Sequence, residues 1–428
     1  MSSGNRSSRR DFLGRSALAA AGVTVLGGLG IARSAHAAGL DQIKLALIGC
    51  GGRGTGAASD CLGSNENVKI VAVADAFEDC AKRAAAHLNG HFKGKADITP
   101  ERTFVGFDAY QKAIDSGVDM VILATPPGFR PMHYEAAIKA GKHVLMEKPC
   151  CTDAPGFNKL MEVNKLADQK GLKVGVGLQR RHDRGYMEGV KRIHEGSLGD
   201  LVFLQVYWNG DSPWVRPRRP NQTEMEYQMR NWYYFVWLCG DNICEQHVHN
   251  LDVANWVKGG HPVEANGMGG RQTRKGKDRG HIFDHHFVEF TYKEEKKPDV
   301  KLYSQCRQQA GTWPKVSEYV RGTKGGSGCH SGRGGGSAYQ LEHVDLIKAI
   351  RDNEKYNEGW YGATSSMTAV LGRMATYSGK VVRWDDAIAT GPSEMPEKLA
   401  WDADPRVLPD KDGFYEYAVA VPGVYKPY

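Results

Sequence analysis

The sequence lacks the markers of several large classes of protein. Its nine cysteines form no Cys-x-x-Cys pair and show no zinc-site spacing, and an odd number cannot pair completely within one chain. We therefore interpret them as mostly buried thiols. No Gly-x-x-x-x-Gly-Lys-Ser/Thr motif occurs, which excludes a Walker-type phosphate loop. The basic residues form no stripe interleaved with aromatic residues, so we expect no nucleic-acid partner.

The composition is close to that of an average soluble globular protein. The 428 residues are 41% hydrophobic and 25% charged, which argues against a disordered, fibrous or polytopic membrane protein. A chain of this length predicts two domains or three. The formal net charge of +7 comes mostly from residues 1–37, which hold five arginines and one aspartate, so the remainder is nearly neutral.

Residues 1–37 have the pattern of a twin-arginine export signal. Arg9-Arg10 precedes Asp11-Phe12-Leu13 and a weakly apolar run, and Ala35-His36-Ala37 resembles a cleavage site. That run is too short and too weakly apolar for a membrane anchor, and no later segment reaches the length of a membrane span. We therefore predict export to the periplasm or beyond by the twin-arginine machinery. Because this route carries folded proteins, we expect a bound cofactor that does not dissociate.

A glycine-rich turn follows the first apolar stretch of the mature chain. Ile43–Ile48 predicts a strand, Gly49-Cys50-Gly51-Gly52-Arg53-Gly54 matches Gly-x-Gly-x-x-Gly, and a helical stretch begins at Thr55. Such a turn brings the backbone and a helix N-terminus close to a pyrophosphate. A second predicted strand ends at Asp75, where an acid can bind ribose hydroxyls and repels a 2′-phosphate. We therefore predict NAD as the cofactor, with NADP as the alternative.

Alternating strands and helices predict an α/β first domain with a doubly wound parallel sheet, the Rossmann fold. Two further strands, 119–124 and 142–146, flank a helix at 132–140. They end in Thr125-Pro126-Pro127 and Glu147-Lys148-Pro149, at the sheet edge where such folds bind ligands. These patterns assign the following residues to the cofactor: Gly49, Gly51, Gly52, Arg53, Gly54, Asp75, Thr125 and Pro126.

The second half of the chain predicts a different architecture. Alternating strands at 202–208, 281–292 and 301–306 are typical of an open, mostly antiparallel sheet, and helices near 184–196, 339–352 and 363–378 make this an α+β domain. We therefore divide the chain into a signal peptide at 1–37, a cofactor domain at 38–180 and a substrate and oligomerisation domain at 181–428.

These motifs together resemble the Gfo/Idh/MocA family, which is named after glucose–fructose oxidoreductase, inositol dehydrogenase and rhizopine catabolism. The resemblance covers nearly the whole mature chain, and its most diagnostic piece is Glu147-Lys148-Pro149 after Gly141-Lys142-His143-Val144. It implies that Lys148 lies near the nicotinamide and the substrate hydroxyl. It also adds His133 and Glu147 to the cofactor site, and it places Arg180 near the substrate.

The family's second active-site element is an Asp-x-x-x-His helix, which here corresponds to the stretch from Glu245 to Asp252. Glu245 replaces the usual aspartate. On a single helix Glu245, His249 and Asp252 share one face. The resemblance makes His249 the general acid or base and Lys148 and Glu245 its catalytic partners, with Asp252 at the substrate. An ordinary surface pair of Glu245 and His249 is the alternative. We expect no metal, because no second ligand cluster accompanies these residues.

Two further features each allow a functional interpretation and an interpretation without a role in binding. The aromatic stretch at 227–237, which contains Trp232, suits stacking on a sugar ring and suits core packing equally well. The Arg216–Arg219 cluster in the loop 211–222 suits an acidic sugar, although loop arginines are more often solvated.

The resemblance implies an NAD(P)-dependent oxidoreductase that moves a hydride between its cofactor and a sugar, sugar acid or cyclitol hydroxyl. It also implies a homo-oligomer. Two alternatives stay open at this point. One is a redox-neutral NAD-dependent glycosidase that oxidises, eliminates and then reduces. The other is a non-catalytic protein that binds a sugar or nucleotide.

Overall fold

The computed structural model describes residues 42–332 and 335–428, which lie in one compact unit, Ala38–Tyr428. The predicted export signal lies outside the described residues. All nine cysteines are free, and all but Cys80 are buried, as the sequence predicts. Among the described helices, none has the length and apolar character that crossing a bilayer requires.

The first sheet has six parallel strands in the order β3-β2-β1-β4-β5-β6. This order reverses between β1 and β4, which confirms the predicted doubly wound sheet. The strands are β1 (Ile43–Ile48), β2 (Val68–Asp75), β3 (Thr103–Val105), β4 (Met120–Leu123), β5 (His143–Met146) and β6 (Val174–Val176).

Helices cover both faces of this sheet. They are α1 (Gly52–Ser64), α2 (Glu78–His91), α3 (Ala109–Ile114), α4 (Arg130–Lys139) and α5 (Ala154–Lys170). Alternate residues of β1 explain the two layers. Leu45 and Leu47 pack into one apolar core with α1 and α2, whereas Ala46 and Ile48 pack into the other with α3, α4 and α5. A strand that is buried on both faces is typical of a parallel sheet.

The second sheet is open and has seven strands in the order β12-β11-β7-β10-β9-β8-β13. Only β7 and β10 pair in parallel, so the predicted mostly antiparallel sheet is confirmed. The strands are β7 (Leu201–Gly210), β8 (Glu264–Gly270), β9 (His285–Tyr292), β10 (Val300–Gln308), β11 (Lys315–Gly322), β12 (Gly325–Ser327) and β13 (Val382–Arg383). Burial alternates strictly along β10, so one face of the sheet lies against helices.

Eight helices follow the first sheet within the described residues. They are α6 (Arg184–His194), α7 (Glu224–Arg230), α8 (Val236–Cys239), α9 (Asn242–Glu245), α10 (Val248–Lys258), α11 (Ala338–Arg351), α12 (Gly359–Ser378) and α13 (Trp384–Thr390). Helix α12 packs on β8 and β9. Helix α11 instead contributes Leu346, Ile347 and Ile350 to the core around β1 and α1. The chain after residue 180 therefore returns to the first sheet.

Candidate active site

A cavity of about 810 Å³ opens at the carboxyl edge of the parallel sheet. Ligand sites of doubly wound folds lie at this edge, and the cavity size is in the usual range for them. Nine of the predicted cofactor residues line it: Gly49, Gly51, Gly52, Arg53, Gly54, Asp75, Thr125, Pro126 and His133. The structure thus brings together the glycine turn, the end of β2, the turn after β4 and helix α4.

The glycine turn is shaped for close approach of an anion. Gly49 has a φ of +97°, and a Cβ there would lie 2.4 Å from the Thr125 nitrogen, so only glycine fits. A Cβ on Gly54 would lie 1.9 Å from the Gly49 oxygen. Helix α1 begins with neither a side-chain cap nor an acidic residue in its first turn. Its first N–H groups are therefore suited to phosphate oxygens, and the turn fits a dinucleotide.

Asp75 lies at the end of β2, beside the glycine turn. Its carboxylate accepts hydrogen bonds from the Cys50 nitrogen at 2.7 Å and from the Phe77 nitrogen at 2.9 Å. Burial raises the pKa of Asp75, and these two backbone N–H groups oppose that rise. Because each oxygen accepts a bond from the backbone, the carboxylate is oriented and still has lone pairs for ribose hydroxyls.

His133 packs behind Thr125 on the cavity wall. Its Nδ1 lies 3.2 Å from the Thr125 hydroxyl oxygen, and its ring stacks on Tyr110 and Phe129 at 4.2 and 5.8 Å. Burial, reinforced by the nearby charge of Arg130, lowers the pKa of His133 to about 3. The ring is therefore neutral. His133 contributes packing and a hydrogen bond to the cavity wall, and it contributes no charge.

Arg130 links the turns that follow β4 and β5, and this role was not predicted from the sequence. Its fully buried guanidinium donates to the backbone oxygens of Thr125 and Pro149, which follow β4 and β5. The sequence did contain one indication of this role. Arg130 is the first residue of α4, where the helix dipole disfavours a positive charge, so an arginine there needs local acceptors.

Lys148 and Glu245 meet at the same sheet edge, behind the cavity. The Lys148 Nζ lies 3.1 Å from Glu245 Oε1 and also donates to the Glu245 backbone oxygen. Both side chains are largely buried. Burial raises the pKa of Glu245, while the Lys148 ammonium opposes that rise. An ammonium has three donors, so one donor of Lys148 stays available for a further acceptor.

The predicted single helix through Glu245 and His249 is interrupted. Helix α9 ends at Glu245, residues 246 and 247 form a turn, and α10 begins at Val248. In a continuous helix the Glu245 carbonyl would accept a bond from the residue four positions later. Here it accepts one from Lys148 instead. The one-helix prediction was wrong because it could not include a partner from another domain.

His249 lies beside this pair in an apolar and cationic environment. Its ring stacks on Trp208 at 5.8 Å, and its Nδ1 has no hydrogen-bond partner among the described residues. Burial first, and then the charges of Lys148 and Arg180, lower the pKa of His249 well below its ordinary value. The imidazole is therefore neutral, so one of its ring nitrogens carries a lone pair that can accept a hydrogen bond.

Arg180 and Asp252, which were predicted to lie at the substrate, are both held in ion pairs. The Arg180 guanidinium pairs with Glu318 and lies 5.8 Å from the Trp208 ring. Asp252 is buried in a two-pronged ion pair with Arg181 at 2.8–3.1 Å, and it does not reach the cavity.

Glu147 lies behind the cavity wall, and its Oε1 is 3.0 Å from the Nε of Arg53.

Trp232 lines the cavity, whereas most of its aromatic neighbours at 227–237 are core residues. Core packing is therefore confirmed for most aromatic residues of this stretch; among them only Trp232 lines the cavity, and its stacking on a sugar ring stays a prediction.

The parallel sheet, glycine turn and acid at the end of β2 define a dinucleotide-binding domain. Residues 43–178 match the oxidoreductase family with an NAD-binding Rossmann fold, Gfo/Idh/MocA. Residues 43–178 are therefore similar to the NAD-binding domain of that family, and the cofactor of this domain is a nicotinamide dinucleotide.

Relatives with assigned functions cover parts of the chain. The scyllo-inositol 2-dehydrogenase (NADP(+)) of Bacillus subtilis is 39% identical over 104 residues, which are 24% of this chain and 28% of that protein. The inositol 2-dehydrogenase of Acidiphilium cryptum is 25% identical over 265 residues, 62% of this chain and 68% of that one. The first match thus spans less than a third of its relative.

Solved structures match over more of the chain. The scyllo-inositol dehydrogenase of Lactobacillus casei with bound NAD(H) and scyllo-inositol superposes with a TM-score of 0.62 at 17% identity, covering 80% of this chain and 99% of that one. The aldose-aldose oxidoreductase of Caulobacter crescentus gives 0.60 at 16% identity, covering 80% and 99%. At these identities the similarity establishes the two-domain fold.

Proposed function

We propose that the protein is an NAD(P)-dependent oxidoreductase that acts on a CH–OH group of a cyclitol, sugar or sugar acid. The observation that carries the proposal is the meeting of Lys148, Glu245 and His249 at the sheet edge where the glycine turn binds a dinucleotide. The names of the relatives support the substrate class, since they are dehydrogenases of inositols.

Different residues of the chain would have different roles in such a reaction. A bound nicotinamide would exchange a hydride with the substrate carbon. Lys148 is held by Glu245, and its remaining donor binds the substrate oxygen and stabilises the charge that develops there. His249 is neutral and accepts the hydroxyl proton. Arg180, whose guanidinium lies 5.8 Å from the Trp208 ring centre, adds a positive charge that helps to lower the pKa of His249.

Substitution of Lys148 by Met tests the proposal. We expect kcat to fall by about 10²- to 10⁴-fold, because the stabilising donor is lost. Dinucleotide binding should persist, because Lys148 does not line the cavity. Glu245 can take up a proton when its partner is lost, because burial already raises its pKa. The assay is dinucleotide reduction with a panel of inositols, aldoses and uronic acids.

An exposed lysine on α5 provides the matched control. Lys165→Met removes the same charge far from the cavity lining and should leave kcat unchanged. Full activity of Lys148→Met would overturn the assignment. A wild-type protein that binds the dinucleotide and turns over no member of the panel would contradict the substrate class.

We also propose that the protein is exported by the twin-arginine pathway, keeps its cofactor bound and assembles as a homo-oligomer. The motif at residues 9–13 supports export. The outer face of the second sheet supports assembly, because Met268 and Phe287 form an exposed apolar pair across strands β8 and β9. A monomer in sedimentation velocity would contradict the assembly.

A further inference from the structure

A loop from the second domain reaches the cofactor cavity. Residues 211–222, here called the cavity loop, connect β7 to α7. Six of its residues line the same cavity as the glycine turn: Trp214, Val215, Arg216, Pro217, Arg219 and Gln222. The cavity wall is therefore built by both domains.

The cavity loop is held in place by side chains of the second domain. The Arg216 nitrogen donates to Asn231 Oδ1 at 2.8 Å, and the Arg218 nitrogen donates to Asp278 Oδ1 at 3.0 Å. The Arg218 guanidinium pairs with Glu224 and lies 3.9 Å from the Tyr227 ring centre. These contacts fix the backbone of the loop, so the arginines on either side of Arg218 have defined positions.

The charges on the cavity wall are unbalanced at this loop. Three of the arginines that line the cavity, Arg53, Arg83 and Arg230, have carboxylate partners. Arg216 and Arg219 form no ion pair with any described residue. The Arg216 guanidinium lies 5.3 Å from the Trp214 ring centre, and both arginines are exposed at the cavity. Two uncompensated guanidinium groups thus line a cavity that fits an anionic cofactor.

We propose that Arg216 and Arg219 bind phosphate oxygens of the dinucleotide and that the cavity loop clamps the cofactor from the second domain. The inference rests on the proposed use of a dinucleotide. A guanidinium matches phosphate geometry through paired N–H donors, and it keeps its charge at any working pH. The glycine turn supplies backbone N–H groups to the same anion but no net charge. The clamp explains how an exported protein retains its cofactor.

Dinucleotide release measures the clamp directly. In the full chain, Arg216→Ala and Arg219→Ala should each raise the Kd for NADH and its dissociation rate by about 10- to 100-fold. Arg219→Lys should fall between wild type and Arg219→Ala, because it keeps the charge and loses the paired donors. Stopped-flow release of NADH fluorescence gives the rate. The difference from wild type should shrink in high salt.

A control variant tests whether the effect is specific to the cavity loop, and a second dinucleotide identifies which phosphate the arginines bind. Arg192→Ala removes an exposed arginine of α6 outside the cavity lining and should leave both constants unchanged. Equal losses for NADH and NADPH identify the pyrophosphate as the partner. A loss for NADPH alone identifies the 2′-phosphate.

Two negative results can be told apart. Unchanged constants for both dinucleotides in the arginine variants would overturn the clamp. A wild-type protein that binds neither dinucleotide would contradict the proposed function instead.

Discussion

At the scale of single residues, His182 is held between two carboxylates just after the cofactor domain. Its Nδ1 lies 2.6 Å from Asp345 Oδ2, and its Nε2 lies 3.1 Å from Glu358 Oε1. Burial alone would lower the pKa of His182, but the bonds and charges of Asp345 and Glu358 raise it to about 10. His182 is therefore an imidazolium at neutral pH. It joins the two acids, one on α11 and the other just before α12, to the segment after β6.

The raised pKa of His182 predicts a pH-dependent contribution to stability. The folded pKa of about 10 lies above the ordinary value of 6.5, so the contribution is complete below pH 6.5 and is lost as pH rises towards 10. His182→Gln should lower the free energy of unfolding by about 2–4 kcal/mol at pH 6 and by far less at pH 10. Urea unfolding at both pH values measures this.

The exposed His87 on α2 gives the control for this experiment. His87→Gln should change the free energy of unfolding by less than about 0.5 kcal/mol at either pH. If the cost of His182→Gln were the same at pH 6 and pH 10, the ion pairs would not be the source of the stabilisation.

At the scale of elements, α1 depends on one close approach to the glycine turn. A Cβ on Gly54 would collide with the Gly49 oxygen at 1.9 Å, whereas a Cβ on Gly56 would have only the Arg53 guanidinium at 3.9 Å. Both glycines lie in the same helix. The helix can therefore be tested with two identical substitutions that differ only in their surroundings.

Gly54→Ala should destabilise the protein and weaken dinucleotide binding. We expect a loss of about 1–3 kcal/mol in the free energy of unfolding, because α1 must move away from the turn. Gly56→Ala should instead raise it by about 0.5–1 kcal/mol, since alanine loses less backbone freedom on folding. Chemical denaturation measures both effects. Equal effects of the two substitutions would contradict the close-packing role of Gly54.

The break between α9 and α10 is another feature decided at the scale of elements. The sequence there has helical spacing, and the side chains at 245 and 249 do approach the same lysine. The helix nevertheless ends at Glu245, because its carbonyl is bound by Lys148 from the first domain. No local pattern predicts an acceptor that is taken by a residue 97 positions away.

At the scale of the whole molecule, the proposal to be tested is that Arg9 and Arg10 direct export of the protein. The twin-arginine machinery recognises the arginine pair of its signal. We expect the double substitution Arg9→Lys, Arg10→Lys to retain the protein in the cytoplasm as an uncleaved precursor. Cell fractionation followed by immunoblotting measures the distribution.

Two other arginines of the same segment serve as a charge-matched control. Arg6→Lys with Arg15→Lys makes the same number of substitutions outside the pair and should leave export unaffected. Normal cleavage and export of the Arg9, Arg10 variant would contradict the twin-arginine route.

Much of the fold and of the cavity could be predicted from the sequence. Strands β1, β2, β4 and β5 and the turns that follow them were located from apolar runs and glycine or proline positions, whereas the short β3 was not predicted. The ends of these strands supply eight of the predicted residues of the cavity, and His133 on α4, which the resemblance implied, is the ninth. The site beyond the first domain was predicted less well. Arg216 and Arg219 were interpreted as solvated loop residues or as partners of an acidic sugar. They are exposed, as the first interpretation predicts, and they also line the cavity, which was not predicted.

The sequence by itself determined the parallel sheet, its glycine turn and the acid at the end of β2. These are local features, because backbone sterics and strand or helix periodicity act over a few neighbouring residues. Only the tertiary structure decided that Lys148 binds Glu245, that Asp252 pairs with Arg181, and that the cavity loop lines the cofactor site. Each of these contacts joins residues more than 70 positions apart, where burial and charge in three dimensions choose the partner.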